Sequence, residues 1–263
     1  MEKTKIDWAD ATWNPVTGCY HLCEYCYARR IAERFQPYGL SHDVEGAILR
    51  PINELEAPIK TVQGDGKERV CAFPYGFEPT FHRYRLNDYA AKKGRNIFVC
   101  SVADLFGKWV PTRWIAEVMD ACEAGQQHNY MFLTKNPERY MQLDHLALLP
   151  RESNFWYGST VTTEYSSYFH SDKHKTFLSI EPLIGRLGPF RQALDGVDWV
   201  IIGAMTGPKG KDHQPERTWV EEIVEACRLA NIPVFMKQNL AGVWGDDLIQ
   251  EWPAELRKGR GNE

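Results

Sequence analysis

Apolar and polar positions alternate along this chain in two periods. Short runs rich in β-branched and aromatic residues recur at 70–73, 97–100, 130–133, 155–158, 176–180, 199–202 and 233–236, each of strand length. Between them the period lengthens. Residues 112–124 place Trp114, Ile115, Val118, Met119 and Cys122 on one helical stripe, and residues 218–230 do the same with Trp219, Val220, Ile223, Val224 and Cys227. Pro111-Thr112 opens the first helix, and Thr218 with Glu221 three residues on has the spacing of a capping box. A further helix is expected over 28–35, and an N-terminal strand near 13–17 brings the strand candidates to eight. Strands alternating with helices predict an α/β fold with a parallel (βα) barrel, complete or nearly complete.

Residues 36–69 do not fit this alternation. Pro37, Pro51 and Pro58 with Gly39, Gly46, Gly64 and Gly66 leave little periodicity, so the stretch reads as an irregular insertion or lid after the first helix. The rest, 1–255, reads as one barrel domain, and 256–263 as a charged tail that frays.

Composition narrows the classes. With 31 Lys+Arg against 35 Asp+Glu the formal net charge is −4, which excludes a highly basic nucleic-acid coat and an acidic tail protein. A 43% hydrophobic and 25% charged content is that of a folded chain. No run approaches the ~20 apolar residues of a membrane span, and the opening Met-Glu-Lys-Thr-Lys-Ile-Asp-Trp lacks a signal peptide's apolar core. A cytoplasmic location without membrane contact is the expectation. Seven cysteines are an odd number, which suits metal or catalytic use better than a disulfide framework.

Three of those cysteines, Cys19, Cys23 and Cys26, follow one another at C-x3-C-x2-C. Thiolates at this spacing can hold three irons of a [4Fe–4S] cluster if the loop wraps one cluster face. The fourth iron is then open to chelation by an amine and a carboxylate. The competing reading is structural zinc, for which His21 offers a fourth ligand; no second C-x2-C pair completes a zinc ribbon, and the loop lies where a strand meets a helix. Cys71, Cys100, Cys122 and Cys227 read as core thiols. Polar residues gather where the other strands end: Ser101, Asp104, Thr134, Lys135, Ser159, Thr160, Ser179, Glu181, Thr206, Lys237 and Gln238. In a barrel these ends build the site, although each residue taken singly can equally cap a helix.

At the cysteine run, with Tyr25 just before the last cysteine, the sequence resembles the radical S-adenosylmethionine superfamily. The wider phrase Gly-Cys-x-His-x-Cys-x-Tyr-Cys-Tyr-Ala-Arg looks like its spore-photoproduct-lyase-like branch. It also resembles a phage- and prophage-associated family, similar across Asp10-Ala-Thr-Trp-Asn-Pro-Val-Thr-Gly18 and Phe73-Pro-Tyr-Gly-Phe-Glu-Pro-Thr80. The resemblance implies a [4Fe–4S] cluster on Cys19, Cys23 and Cys26, an external one-electron reductant, and reductive cleavage of S-adenosylmethionine to a 5′-deoxyadenosyl radical that takes hydrogen from a substrate.

It implies site residues as well. Gly76-Phe77-Glu78-Pro79-Thr80 stands in for a Gly-Gly-Glu-Pro-like turn whose backbone meets the cofactor's amino group, departing from it at Phe77. Thr134, Ser159 and Thr160 are implied for the ribose and carboxylate of S-adenosylmethionine, and Tyr25 for the adenine edge. Glu181 and Lys237 are expected to meet substrate or to pair across the barrel mouth, and Cys100 is a candidate hydrogen-atom donor. Arg29-Arg30-Arg34, His82-Arg83-Tyr84-Arg85 and Lys92-Lys93-Arg95 interleave cations with aromatics, as nucleic-acid surfaces do, while short charge clusters also form solvated faces. DNA or a nucleotide therefore stands beside a peptide or metabolite as substrate. The second reading is a non-catalytic iron–sulfur or zinc barrel that acts through a partner protein or nucleic acid.

Overall fold

The computed structural model describes residues 4–35, 51–62, 66–188, 190, 194–207, 210 and 212–259. In chain order come β1 (Ala11–Trp13), β2 (Val16–Thr17), α1 (Tyr27–Phe35), β3 (Asn53–Leu55), β4 (Lys60–Val62), β5 (Glu68–Val70), β6 (Thr80–His82) and β7 (Asn96–Val99). They are followed by α2 (Thr112–Glu123), β8 (Asn129–Thr134), α3 (Glu138–His145), β9 (Phe155–Thr160), β10 (Lys175–Ile180), β11 (Trp199–Ile202), α4 (Arg217–Leu229), β12 (Val234–Met236) and α5 (Ala241–Trp244). Seven strands form the main sheet in the order β1-β7-β8-β9-β10-β11-β12. Every pairing in it is parallel, and the sheet curls through 193° into a half barrel.

Three expectations are corrected. The sheet is open, with β1 and β12 as its edges, so the barrel is partial. The run at 70–73 supplies no barrel strand: β5 pairs antiparallel with β4 in a separate hairpin, and all its residues are exposed. Of the expected run only Val70 lies in β5, and the buried Cys71 and Phe73 belong to the loop that follows it. The expected strand at 13–17 divides after Trp13, because Pro15 brings no N–H to a ladder; β2 turns away to a small sheet of order β2-β6-β3. The insertion is thus less irregular than expected, since β3, β4 and part of β5 come from it; its residues 36–50 and 63–65 lie outside the described residues. Glu221 pairs with Arg217 at 2.8 Å and forms no capping box. The stretch read as a tail opens in a 3-10 turn, Ala254–Gly259, with Leu256 buried; residues 260–263 lie outside the described residues.

Two-residue periodicity divides the sheet into faces. Outward residues pack on helices: Ile97, Val99, Tyr130, Phe132, Phe155 and Tyr157 share a core with the apolar stripe of α2, and Leu178, Ile180, Val200, Ile202, Val234 and Met236 share one with α4. The alternate residues Phe98, Met131, Trp156, Phe177, Trp199, Ile201 and Phe235 fill the concave side together with Trp8 and Trp252. Gly158 makes this layer possible, since a β-carbon there would lie 2.2 Å from the Phe177 ring. Trp8 reaches in from the N-terminal segment, its ring 4.7 Å from Phe98 and 6.5 Å from Trp199. Beside it Asp7 Oδ2 accepts the backbone N–H of Gln238 at 2.9 Å, just past β12. Among the described residues no helix is long and apolar enough to cross a membrane.

Candidate active site

Above the aromatic layer, at the carboxyl ends of the strands, lies a cavity of about 390 Å³. Cys19, Cys23 and Cys26 all line it from the loop between β2 and α1. That loop begins at Gly18, whose backbone is left-handed with φ 83°. Gly18 N donates to Val102 O and Cys19 N to Phe77 O, each at 3.1 Å. The turn Gly76–Thr80 therefore packs directly on the cysteine loop and offers it carbonyls. Phe77 lines the cavity, while Gly76 and Glu78 are not among its lining residues; the Glu78 carboxylate instead accepts Asn53 Nδ2 at 3.2 Å.

All three thiols are half-buried. The backbone N–H of His21 points at Cys19 Sγ, 3.5 Å away, and that of Arg29 at Cys26 Sγ, 3.4 Å away. Burial, and then the charge of Asp104, pushes the Cys19 thiol up to about 12. Burial also raises Cys23. Thiolates here call for a cation to displace the protons. Among the described residues no group of three or more His, Cys, Asp or Glu side chains converges on one point, as a single ion would require. A cluster binds each thiolate at a different iron and needs no such convergence, so the donor set fits a cluster.

Strand parity decides where the other sequence-derived residues fall. Thr160, Ser179, Glu181 and Lys237 are on the inward phase of their strands or just past it, and all line the cavity. Ser159 is on the opposite phase, and its Oγ accepts Phe169 N at 2.9 Å. Thr134 lines the cavity, but its hydroxyl is occupied, donating to Asp104 Oδ2 at 3.0 Å and accepting Asn136 N at 2.9 Å. Cys100 belongs to the helix-side core and does not line the cavity; burial pushes its thiol up to about 12. Tyr25 lines the cavity with Lys135 Nζ 5.7 Å from its ring centroid. Glu181 and Lys237 are ion-paired.

Lys5 and Trp8, which the sequence did not single out, also line the cavity, as do Asp104 and Ser179 from among the polar strand ends. Ser179 is 1% exposed, and its Oγ has no hydrogen-bond partner among the described residues, so a polar group remains for a ligand to satisfy. Its inward phase was readable once Phe177 was taken as core. In the basic cluster at 82–85, Arg83 binds Glu117 at 2.6 Å and Glu54 at 3.1 Å, and the Tyr84 hydroxyl lies 3.2 Å from His82 Nδ1.

A family model described as "Protein of unknown function (DUF5131)" matches residues 3–260. The chain belongs to the DUF5131 family. The match takes in both the cysteine loop and the strand ends that complete the cavity of this DUF5131 chain. Comparison with curated proteins finds no match. Among solved structures it is similar to a spore photoproduct lyase complexed with dinucleoside spore photoproduct, at 12% identity and a TM-score of 0.47. It is likewise similar to a mutant of that lyase with AdoMet and the dinucleoside bound, at 12% identity and a TM-score of 0.46. Each likeness covers 86% of this chain and 62% of the other, so the chain spans less than two thirds of their length.

Proposed function

We propose that this protein is a radical S-adenosylmethionine enzyme in which Cys19, Cys23 and Cys26 hold a [4Fe–4S] cluster and S-adenosylmethionine occupies the adjoining cavity. The observation that carries the reading is the C-x3-C-x2-C loop with all three cysteines on one cavity at the carboxyl ends of a parallel half barrel. Held by these three thiolates and supplied with an electron by an external reductant, such a cluster would supply reductive cleavage of S-adenosylmethionine to a 5′-deoxyadenosyl radical for hydrogen abstraction.

The chain's own residues bind, orient and exclude water. Tyr25 and Phe77 wall the cavity beside the cysteines, and Thr160 and Ser179 offer hydroxyls from neighbouring strands. The aromatic layer beneath them closes the floor. Both carboxylates on the wall are already engaged, Glu181 by Lys237 and Asp104 by His21, whereas Lys5 and Lys135 have no ion-pair partner among the described residues. That balance favours anionic ligand groups, and it suits DNA or a nucleotide better than a peptide or an uncharged metabolite.

The test is anaerobic reconstitution with iron and sulfide, then dithionite and S-adenosylmethionine, with 5′-deoxyadenosine followed by mass spectrometry. Product that vanishes in Cys19→Ala, Cys23→Ala and Cys26→Ala supports the reading. A protein that takes up zinc and forms no iron–sulfur chromophore overturns it, and a cluster that never binds S-adenosylmethionine favours a binding protein.

A further inference from the structure

Asp104 is 5% exposed, and such a carboxylate is stable only when its lone pairs are filled. His21 Nε2 donates to Oδ2 at 2.7 Å, as do the Thr134 hydroxyl and Lys135 N, each at 3.0 Å. Phe106 N donates to Oδ1 at 3.0 Å. One carboxylate thus joins the cysteine loop to the end of β8. His21 lies between Cys19 and Cys23 in the chain, its backbone N–H points at Cys19 Sγ, and its ring meets Trp109 edge-on at 4.8 Å. The next residue, Leu22, is left-handed at φ 57° and 59% exposed. The chain therefore exposes Leu22 directly after His21, while the bond to Asp104 holds His21 at the cavity wall.

We infer that Asp104 is the positioning residue of the cysteine loop: through His21 it fixes Cys19 against the end of β8, and its buried negative charge sets the electrostatic environment of that ligand. The inference rests on the cluster reading above. Charge and N–H···S bonds around the sulfurs govern the potential of an iron–sulfur cluster. A fixed carboxylate beside a ligand thiolate disfavours the added electron, so it holds the potential low.

The experiment uses the full chain, reconstituted anaerobically, as wild type, Asp104→Asn, His21→Ala, His21→Gln and the Asp104→Asn/His21→Ala double variant. Iron and sulfide per chain, the electron paramagnetic resonance spectrum of the reduced protein, its reduction potential and its melting temperature are measured for each. The expected result is a shift to more positive potential in Asp104→Asn, where the charge is removed, and an altered spectrum in both Asp104→Asn and His21→Ala, where the loop loses its anchor. His21→Gln, which keeps a donor for Asp104, stays near wild type, and the double variant shifts less than the two single shifts combined, as coupled residues do. Potentials and spectra unchanged in both single variants, or strictly additive shifts, overturn the inference while leaving the cluster reading intact. Should Asp104→Asn fail to fold, the contrast between Ala and Gln at position 21 decides. A wild type that takes up no cluster overturns both.

Discussion

A β-carbon at Gly18 would lie 2.2 Å from the carbonyl oxygen of Glu78. The turn Gly76–Thr80 thus closes on the first residue of the cysteine loop so tightly that only glycine fits, at a φ of 83° that other residues rarely adopt. Gly18→Ala has to bring both strain and a clash. The expected cost is about 2–4 kcal/mol of unfolding free energy, combining a left-handed penalty with overpacking, together with loss of iron after reconstitution. Denaturant melts and iron assay on the same samples check this; a variant with wild-type stability and iron content would show that the contact is not needed.

Neighbouring residues at the end of β9 are expected to part company. Thr160 lines the cavity, whereas the Ser159 hydroxyl holds Phe169 N on the far side of the strand. Thr160→Val should weaken S-adenosylmethionine binding, measured by calorimetry, by about 5- to 10-fold, the worth of one hydrogen bond. Ser159→Ala should leave binding unchanged and lower stability by ~1 kcal/mol. The reverse pattern would place the wrong face of β9 toward the ligand.

That pair marks how far the sequence could be read. Six of the seven main-sheet strands stood out from 97 onward because buried strands are apolar on both faces, and α2 and α4 from their stripes. The ends of strands are harder: the run 158–160 carries polar residues on both phases, and only register against Phe177 and the helices tells Ser159 from Thr160. The run at 70–73 misled for a related reason. Cys71 and Phe73 are buried, so the apolar signal was real, but it anchors a loop, and composition does not separate a buried loop from a short strand. Cys100 carried a chemical expectation from resemblance, and its left-handed backbone at φ 58°, invisible in sequence, accompanies its placement in the core. Asp104 stood out only as one polar strand-end residue among many, and its link to the cysteine loop was not legible because its partners His21, Thr134 and Lys135 are distant in sequence.

Acid should loosen the protein through His82. This imidazole is fully buried, with Nε2 2.9 Å from Thr17 Oγ1, and burial followed by the charge of Arg85 lowers it from 6.5 to about 3. Between those values the unfolded chain binds a proton that the folded one refuses, so stability is full above pH ~6.5 and falls as pH drops toward 3, by up to about 1.4 kcal/mol per pH unit. His82→Gln can keep the bond to Thr17 without titrating and should flatten that part of the profile. Urea melts between pH 4 and 8 check the difference; equal slopes in both proteins would assign the acid sensitivity elsewhere.

The ion pair between Glu181 and Lys237 poses the sharpest choice between structure and function. Its side chains are 25% and 17% exposed, so it is neither free in water nor fully buried. Gly203 lies beside it, where a β-carbon would approach Lys237 Cδ at 3.1 Å and the Glu181 carboxyl carbon at 3.2 Å; the backbone of that strand end is shaped around the pair. Breaking a fully buried pair costs roughly 3–5 kcal/mol, because one charge is left stranded. Solvent screening at this partly open site reduces the expected loss to about 1–2 kcal/mol for Glu181→Gln or Lys237→Met alone. The double variant strands no charge and should recover most of that stability. If the pair also meets the ligand or substrate, the recovered stability brings no recovery of 5′-deoxyadenosine formation, which should stay at least 10-fold below wild type. A double variant that regains both melting temperature and product would make the pair purely structural and move substrate recognition to Lys5, Lys135 and the hydroxyls of Thr160 and Ser179.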